Sequence, residues 1–345
     1  MKLNSIKKII SLALIASVLI TGCAQSTAQT TEPEPKQELK EQAAEVKADE
    51  SFTIGISQLV EHPALDASRQ GFIDEMRSLG VKVDFLEQNA QGDIANAQMI
   101  SEKFVKDDVD MIFTIATLSA QAAKQAIEDT DIPMVFTAVT DPVFSQLVSD
   151  MNVTDKNITG VVDAAPIKEN LELFKELKED IKTIGIIFNI GESNSEVQVE
   201  QTKEIAKELG LVIETVGISS VNDIPQAVDT ISKKAEGLYI ITDNMVASSI
   251  SLVAKLAEEN GLMTVSADGS HVAEGIMVSK GISYYEIGKQ SAVIAKQVLI
   301  DKKNIADIPV QASDNLEKLV NVKTAEALGF TKDNKAFEGA EFIEQ

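Results

Sequence analysis

A chain of 345 residues with a formal net charge of −23 repels nucleic acid and anionic lipid head groups, so neither is an expected partner. Its single cysteine excludes an internal disulfide, and its two histidines, His62 and His271, lie far apart in sequence and argue against a histidine-rich metal site. There is no spaced Asp/Asn loop of the EF-hand type, so neither a metal nor a cofactor is expected.

The chain opens MKLNSIKKIISLALIASVLITG, with Lys2, Lys7 and Lys8 ahead of an apolar run from Ile9 to Ile20. A basic start followed by a run too short to span a bilayer is the layout of a secretory signal, placed at residues 1–22. Leu19-Ile20-Thr21-Gly22-Cys23 resembles a bacterial lipobox, which makes Cys23 the expected lipidation site. Acyl chains on that sulfur would hold the protein at the membrane surface, at about 0.8 kcal/mol per buried CH₂. Residues 24–50 have no aromatic side chain, and Leu39 and Val46 are their only large aliphatics. Such a stretch cannot offset its chain entropy, so residues 23–50 read as a lipidated cysteine on a disordered tether. About 300 residues remain from Ser51 onward, enough for two globular lobes.

An internal repeat sets the architecture of those residues. Thr53-Ile54-Gly55-Ile56 recurs as Thr183-Ile184-Gly185-Ile186, Leu79-Gly80 as Leu209-Gly210, Asp93-Ile94 as Asp223-Ile224, and Val135 as Val265, always 130 residues later. Each half alternates strand and helix. In the first, FTIGIS is a strand and Leu65 to Leu79 an amphipathic helix ended by Gly80. VKVDFLE, a helix from Asp93 as N-cap to Val105, VDMIFTI, a helix from about Ser119, and PMVFTAV complete it. The second half runs KTIGIIFN, EVQVEQTKEIAKEL, GLVIETVGI, DIPQAVDTISKKA, GLYIITD, a helix from about Val246, and MTVSA. The strands are continuous apolar runs, as expected of parallel strands covered on both faces. The fold class predicted is α/β, with two Rossmann-like lobes holding parallel sheets. Residues 157–163 end the first half as a further strand, Tyr284 to Leu299 is a long late helix, and Leu319 to Phe330 adds a strand and a helix. Three connections would then join the lobes in a hinge. The expected N-terminal lobe is 51–162 with 282–311, and the C-terminal lobe 163–281 with 312–345.

In open parallel sheets ligands bind beyond the carboxyl ends of the strands, so the repeat selects the loops that matter. They begin at Glu61-His62, Ala116-Thr117, Thr140-Asp141, Asn189-Ile190, Thr242-Asp243 and Ala267-Asp268. Each combines small hydroxyls or amides with a carboxylate near a helix start. Free N–H groups there suit a ligand anion, while cleft carboxylates suit an ammonium group or hydroxyls. The pattern points to a small neutral, zwitterionic or polyhydroxy molecule. There is no GxSxG elbow, P-loop, GxGxxG or HExxH, and nothing places a scissile bond between Asp141 and Asp268, so no enzyme is expected.

Together these residues resemble a solute-binding lipoprotein of a bacterial ABC importer with the type I periplasmic fold. EHPALD, IAT…AQ, TAVTDPV, ITGVVD, KTIGIIFN…ESNS and ITDN are similar to the ABC substrate-binding family that includes tryptophan- and tyrosine-binding members. The resemblance implies an extracytoplasmic, lipid-anchored monomer that captures a small solute by hinge closure and delivers it to an ABC permease and ATPase. An amino-acid-like ligand, aromatic in first place, is what it favours. Carried over by motif, the ligand contacts fall on Glu61, His62, Thr117, Gln121, Thr140, Asp141, Asn194, Ser195, Asp243, Asn244 and Asp268. The chain departs from an aromatic site in having no Trp and three Tyr, and in cleft loops without an aromatic residue. Phe136, Phe188 and Tyr284 are the stacking surfaces near the loop bases, and aliphatic amino acids, nucleosides and small sugars stay open. So do a ligand sensor and a carboxylate-based lipoprotein hydrolase.

Overall fold

A computed structural model describes residues 51–152, 157–313 and 316–344 of the protein. The expected export signal, the expected lipidation site Cys23 and the expected tether lie outside the described residues. The first half places β1 (Ser51–Gln58), α1 (Pro63–Ser78), β2 (Lys82–Asn89), α2 (Ile94–Lys106), β3 (Met111–Ile115), α3 (Thr117–Ala126), β4 (Met134–Val139) and β5 (Ile158–Val162) in strict alternation until the last two strands. The second begins with α4 (Ile167–Leu177) and continues through β6 (Thr183–Asn189), α5 (Ser193–Glu208), β7 (Val212–Ile218), α6 (Ile224–Ser232) and β8 (Gly237–Ile240). Two short-to-medium helices follow, α7 (Asn244–Ala247) and α8 (Ile250–Glu259), then β9 (Met263–Asp268), α9 (Ser270–Ala273) and β10 (Val278–Ile282). The chain then crosses back for α10 (Tyr284–Leu299) and β11 (Gln311–Ala312), and crosses again for β12 (Leu316–Asn321), α11 (Val322–Ala327) and β13 (Glu341–Ile343).

Two sheets result. The first has the order β11-β5-β4-β3-β1-β2 and is parallel throughout. The second has the order β13-β12-β10-β9-β8-β6-β7, parallel except where β12 runs against β10. The orders β2-β1-β3-β4-β5 and β7-β6-β8-β9-β10 are the same, so the repeat of 130 residues is one doubly wound unit used twice. Its punctuation repeats as well: Gly80 and Gly210, with φ of +72° and +70°, turn the chain out of α1 and α5. Asp93 caps α2 by accepting from the Asn96 N–H at 3.0 Å.

The chain passes between the sheets three times, after β5, after β10 and after β11. Each sheet is sandwiched by helices. Phe72, Phe113 and Ile287 belong to a core under α1 and α10, whereas Phe104, Ala123 and Phe136 fill the opposite face. In the second sheet Leu171, Phe174 and Ile186 lie on one face, and Val228, Ile231 and Leu238 on the other. The central strands β3, β4 and β5 are buried along their whole length, but edge strand β2 is largely half-buried or exposed, so continuous apolar runs describe only the interior strands. No helix among the described residues is long and apolar enough to cross a membrane.

Three local features differ from the sequence-based expectation. Helix α4 had not been read, although Ile167, Asn170, Leu171, Phe174 and Leu177 are buried at helical spacing. The helix expected from about Val246 is two, because the backbone leaves helical geometry at Ser249 (φ −127°, ψ 26°) before α8 begins. Helix α1 starts at Pro63, whose ring suits a first turn.

The return of α10 to the first lobe depends on a close crossing with α1. A Cβ on Gly71 would sit 2.1 Å from Tyr285 O, and one on Gly288 would sit 2.0 Å from Ser68 O. Backbone cannot yield as a flexible side chain can, so Gly288→Ala is expected to cost about 2 kcal/mol or more by urea unfolding. Val293→Ala, on an exposed face of the same helix, should stay within about 0.5 kcal/mol.

Candidate functional site

The carboxyl ends of the two sheets face each other across a cleft that is closed in this structure. The space left between them is about 20 Å³, room for one water. From the first lobe and the hinge it is lined by Leu65, Ala138, Thr140, Asp163 and Tyr284. From the second it is lined by Asn194, Thr242, Asp243, Asn244, Ala247, Asp268 and His271. Among the described residues, two side-chain hydrogen-bond contacts bridge the cleft directly: His62 Nε2 lies 3.3 Å from Asn244 Oδ1, and Thr140 Oγ1 lies 3.1 Å from Thr242 Oγ1. On the first-lobe side the chain is strained. Ala116 (φ 82°) ends β3 and Ala138 (φ 55°) interrupts β4, both left-handed positions occupied by a residue with a Cβ. Backbone strain of this kind concentrates at ligand clamps.

The second-lobe wall is organised by one buried carboxylate. Glu192 Oε1 accepts from Asn189 Nδ2 (3.0 Å) and Met245 N (3.1 Å), while Oε2 accepts from Asn194 Nδ2 (3.2 Å), Asn244 N (3.2 Å) and Asn244 Nδ2 (2.5 Å). Asn244 is thereby held where it meets His62. Beside it, Asp243 Oδ1 caps α7 at the Val246 N–H (2.9 Å), and Oδ2 accepts from Asn189 N (2.5 Å) and Ser195 Oγ (2.7 Å). Burial and the neighbouring Glu192 carboxylate raise the Asp243 pKa.

Asp268 is held by its own loop. Its Oδ1 accepts from Ser270 N (2.8 Å) and its Oδ2 from Ser270 Oγ (2.9 Å), and burial pushes its pKa up to about 6. His271 Nε2 lies 3.2 Å from Asp268 Oδ2 without hydrogen-bond alignment, and its Nδ1 lies 2.9 Å from Ser266 Oγ. Burial lowers the His271 pKa to about 4. Ser266, His271 and Asp268 are the residue types of a hydrolytic triad, but Ser266 is fully buried and does not line the cavity, so it offers no nucleophile there. His62, depressed chiefly by burial and then by His271, shows that both histidines of the chain converge on one cleft despite their separation in sequence. No group of three or more His, Cys, Asp or Glu side chains is poised to hold a metal ion among the described residues.

Of the residues singled out from the sequence, Thr140, Asn194, Asp243, Asn244 and Asp268 line the cavity, and His62 closes its edge. Ser195 lies one layer behind, bonded to Asp243. Thr117 is buried in the first turn of α3 with its hydroxyl unpartnered. Glu61 is exposed. Asp141 is spent on its own turn, accepting from Val143 N (3.1 Å) and Phe144 N (2.8 Å). Gln121 does not line the cavity: its Nε2 donates to Ser145 O at 3.0 Å, beside a separate surface depression shared with Lys124 and Gln146. Of the three aromatic candidates, Phe136 is sealed in the first-lobe core and Phe188 packs against the second-lobe core, leaving Tyr284 at the cavity. Sequence reasoning missed Glu192, Asp163, Thr242 and His271 as site members. Glu192, Asp163 and Thr242 stand in ESNS, ITGVVD and ITDN, and the signal for Asp163 is a carboxylate directly following a strand.

Residues 53–341 match the family described as ABC transporter substrate binding protein. The chain is 38% identical to a tyrosine-binding protein of Clostridioides difficile over 336 residues, covering 94% of this chain and 93% of that one. A Streptococcus pneumonia ABC domain crystallised with L-Trp is 30% identical and superimposes with a TM-score of 0.79, covering 84% of this chain and all of that one. A ligand-free, open substrate-binding protein with adhesive properties from Clostridium difficile is 38% identical but superimposes with a TM-score of only 0.66, covering 85% of this chain and 99% of that one.

The buried carboxylate at Asp268 carries a pH signature. Its folded pKa of about 6 exceeds its ordinary 3.8, so the stability it confers is complete below the lower value and is lost as pH rises through the upper one. At about 1.4 kcal/mol per unit the swing is about 3 kcal/mol. Urea unfolding should therefore show Asp268→Asn gaining on wild type by up to that amount between pH 4 and pH 8. An equal difference at both ends would mean that Asp268 titrates as a solvated group.

Proposed function

The chain belongs to the ABC transporter substrate-binding protein family, and on that footing we propose that it is the lipid-anchored extracytoplasmic receptor of an ABC importer for an aromatic amino acid, tyrosine or tryptophan. The observation that carries the reading is the charge of the cleft: Asp163, Asp243 and Asp268 line it, and no lysine or arginine does. Such a lining disfavours phosphates and simple anions and favours a ligand bearing an ammonium group. Tyr284 supplies an aromatic surface on the same cavity. Thr117 and Ser119, buried in the first turn of α3 with unpartnered hydroxyls in the closed form, are the donors we assign to a ligand carboxylate once the lobes part.

The receptor works by hinge closure. A cavity of about 20 Å³ admits no amino acid, so loading requires the lobes to part. The lower TM-score against the open, ligand-free relative, at higher identity than the tryptophan complex, supports the present form as the closed one. His62, Thr117, Thr140, Asn194, Asp243, Asn244 and Asp268 surround the ligand, Ser195 acts through Asp243, and Gln121 does not take part. The lobes comprise 51–162 with 282–311 and 163–281 with 312–345, and the monomer is tethered through Cys23.

Thermal unfolding with candidate ligands tests this. At about 1,000 times its Kd, L-tyrosine or L-tryptophan should stabilise the protein by about 4 kcal/mol. Glucose, galactose and adenosine should leave the transition unmoved. A shift with a sugar or nucleoside and none with either amino acid would defeat the assignment.

A further inference from the structure

We propose that Asp163 is the group that receives the ligand's ammonium, and that it does so from the hinge itself; this rests on the amino-acid reading above. The cavity's carboxylates are not equivalent. Asp243 accepts from Val246 N, Asn189 N and Ser195 Oγ, and Asp268 accepts from Ser270 N and Ser270 Oγ, so each of their oxygens already has a donor. Asp163 Oδ2 accepts from the Tyr284 hydroxyl at 2.7 Å, but its Oδ1 is buried without an aligned hydrogen-bond donor. The Thr140 hydroxyl lies close enough to favour the ionised form, and it is shared with Thr242 across the cleft. Asp163 is only 3% exposed and lines the cavity, and burial raises its pKa, the sign expected of a carboxylate short of compensation. A primary ammonium brings three donors and a full charge, which is what that oxygen lacks.

Position gives the contact a second consequence. Asp163 is the first residue after β5, where the chain first leaves the first lobe, and Tyr284 opens α10, where it returns. Their hydrogen bond ties two of the three crossings together, and the cavity lies against it. Closing the lobes buries Asp163, which resists closure until a cation neutralises it. An ammonium bound at Oδ1 thus favours the closed form through a contact that the open form cannot make as well.

Calorimetric titration with matched ligands tests the assignment. L-tyrosine would be compared with 3-(4-hydroxyphenyl)propionic acid, which differs in lacking the ammonium, against wild type, Asp163→Asn and Tyr284→Phe. Wild type should prefer tyrosine by roughly 100-fold or more, and Asp163→Asn should cut that preference below about 10-fold through weaker tyrosine binding alone. Tyr284→Phe keeps the carboxylate and should keep the preference. A wild-type preference below about 10-fold, which needs no variant to fold, overturns the proposal, as does an undiminished preference in Asp163→Asn. Wild type that binds neither tyrosine nor tryptophan would overturn the amino-acid reading and this inference with it.

Discussion

No hydrophobic cluster among the described residues bridges the cleft. The cores stop at their own sheets, except at the hinge, where Ile282 and Tyr284 join the first lobe's core. The side-chain bonds that cross directly are polar and few: His62 to Asn244 and Thr140 to Thr242. A hydrogen bond of this kind contributes about 1 kcal/mol net, because the open form exchanges it for water. In the receptor we propose, closure is therefore held near balance by contacts that water can replace, and a molecule bound between the lobes decides it. Had the cleft been apolar, the lobes would stay shut with or without a guest.

The same cleft concentrates buried charge. Burying Asp163, Asp243 and Asp268 without a cationic side chain among the lining residues is unfavourable, and the protein meets that cost unevenly. Around Asp243 the backbone of the second lobe supplies donors, with Glu192 fixing the surrounding amides. Around Asp268 a serine of the same loop supplies them. These arrangements are rigid and belong to the lobe, so they shape the wall. Asp163 differs in standing at a crossing with one oxygen unsatisfied, a position where ligand charge and lobe angle meet.

Much of this was legible in the sequence because repetition made it so. The 130-residue offset identified two lobes with one strand order, and strand-end positions then selected the loops that carry Thr140, Asn194, Asp243, Asn244 and Asp268. What was not legible depends on how side chains are spent in three dimensions. Asp141 and Asp243 look alike as strand-end acids, yet one caps an exposed turn and the other anchors a wall of the cavity. Gln121 sits one helical turn into α3 and its side chain is spent on Ser145 O, a partner that spacing within the loop does not convey. His62 and His271 met only when the lobes were placed face to face. Asp163 escaped notice because a single acid at a strand end gains its meaning from Tyr284, 121 residues away.

In the proposed receptor the lobes are held apart or together by what lies between them. Small-angle X-ray scattering of the ligand-free protein and of the protein saturated with L-tyrosine tests it most directly. A ligand-responsive hinge gives a larger radius of gyration without ligand and contraction toward the closed structure on binding. Scattering that already matches the closed form without ligand, and does not change when tyrosine binds, would contradict it.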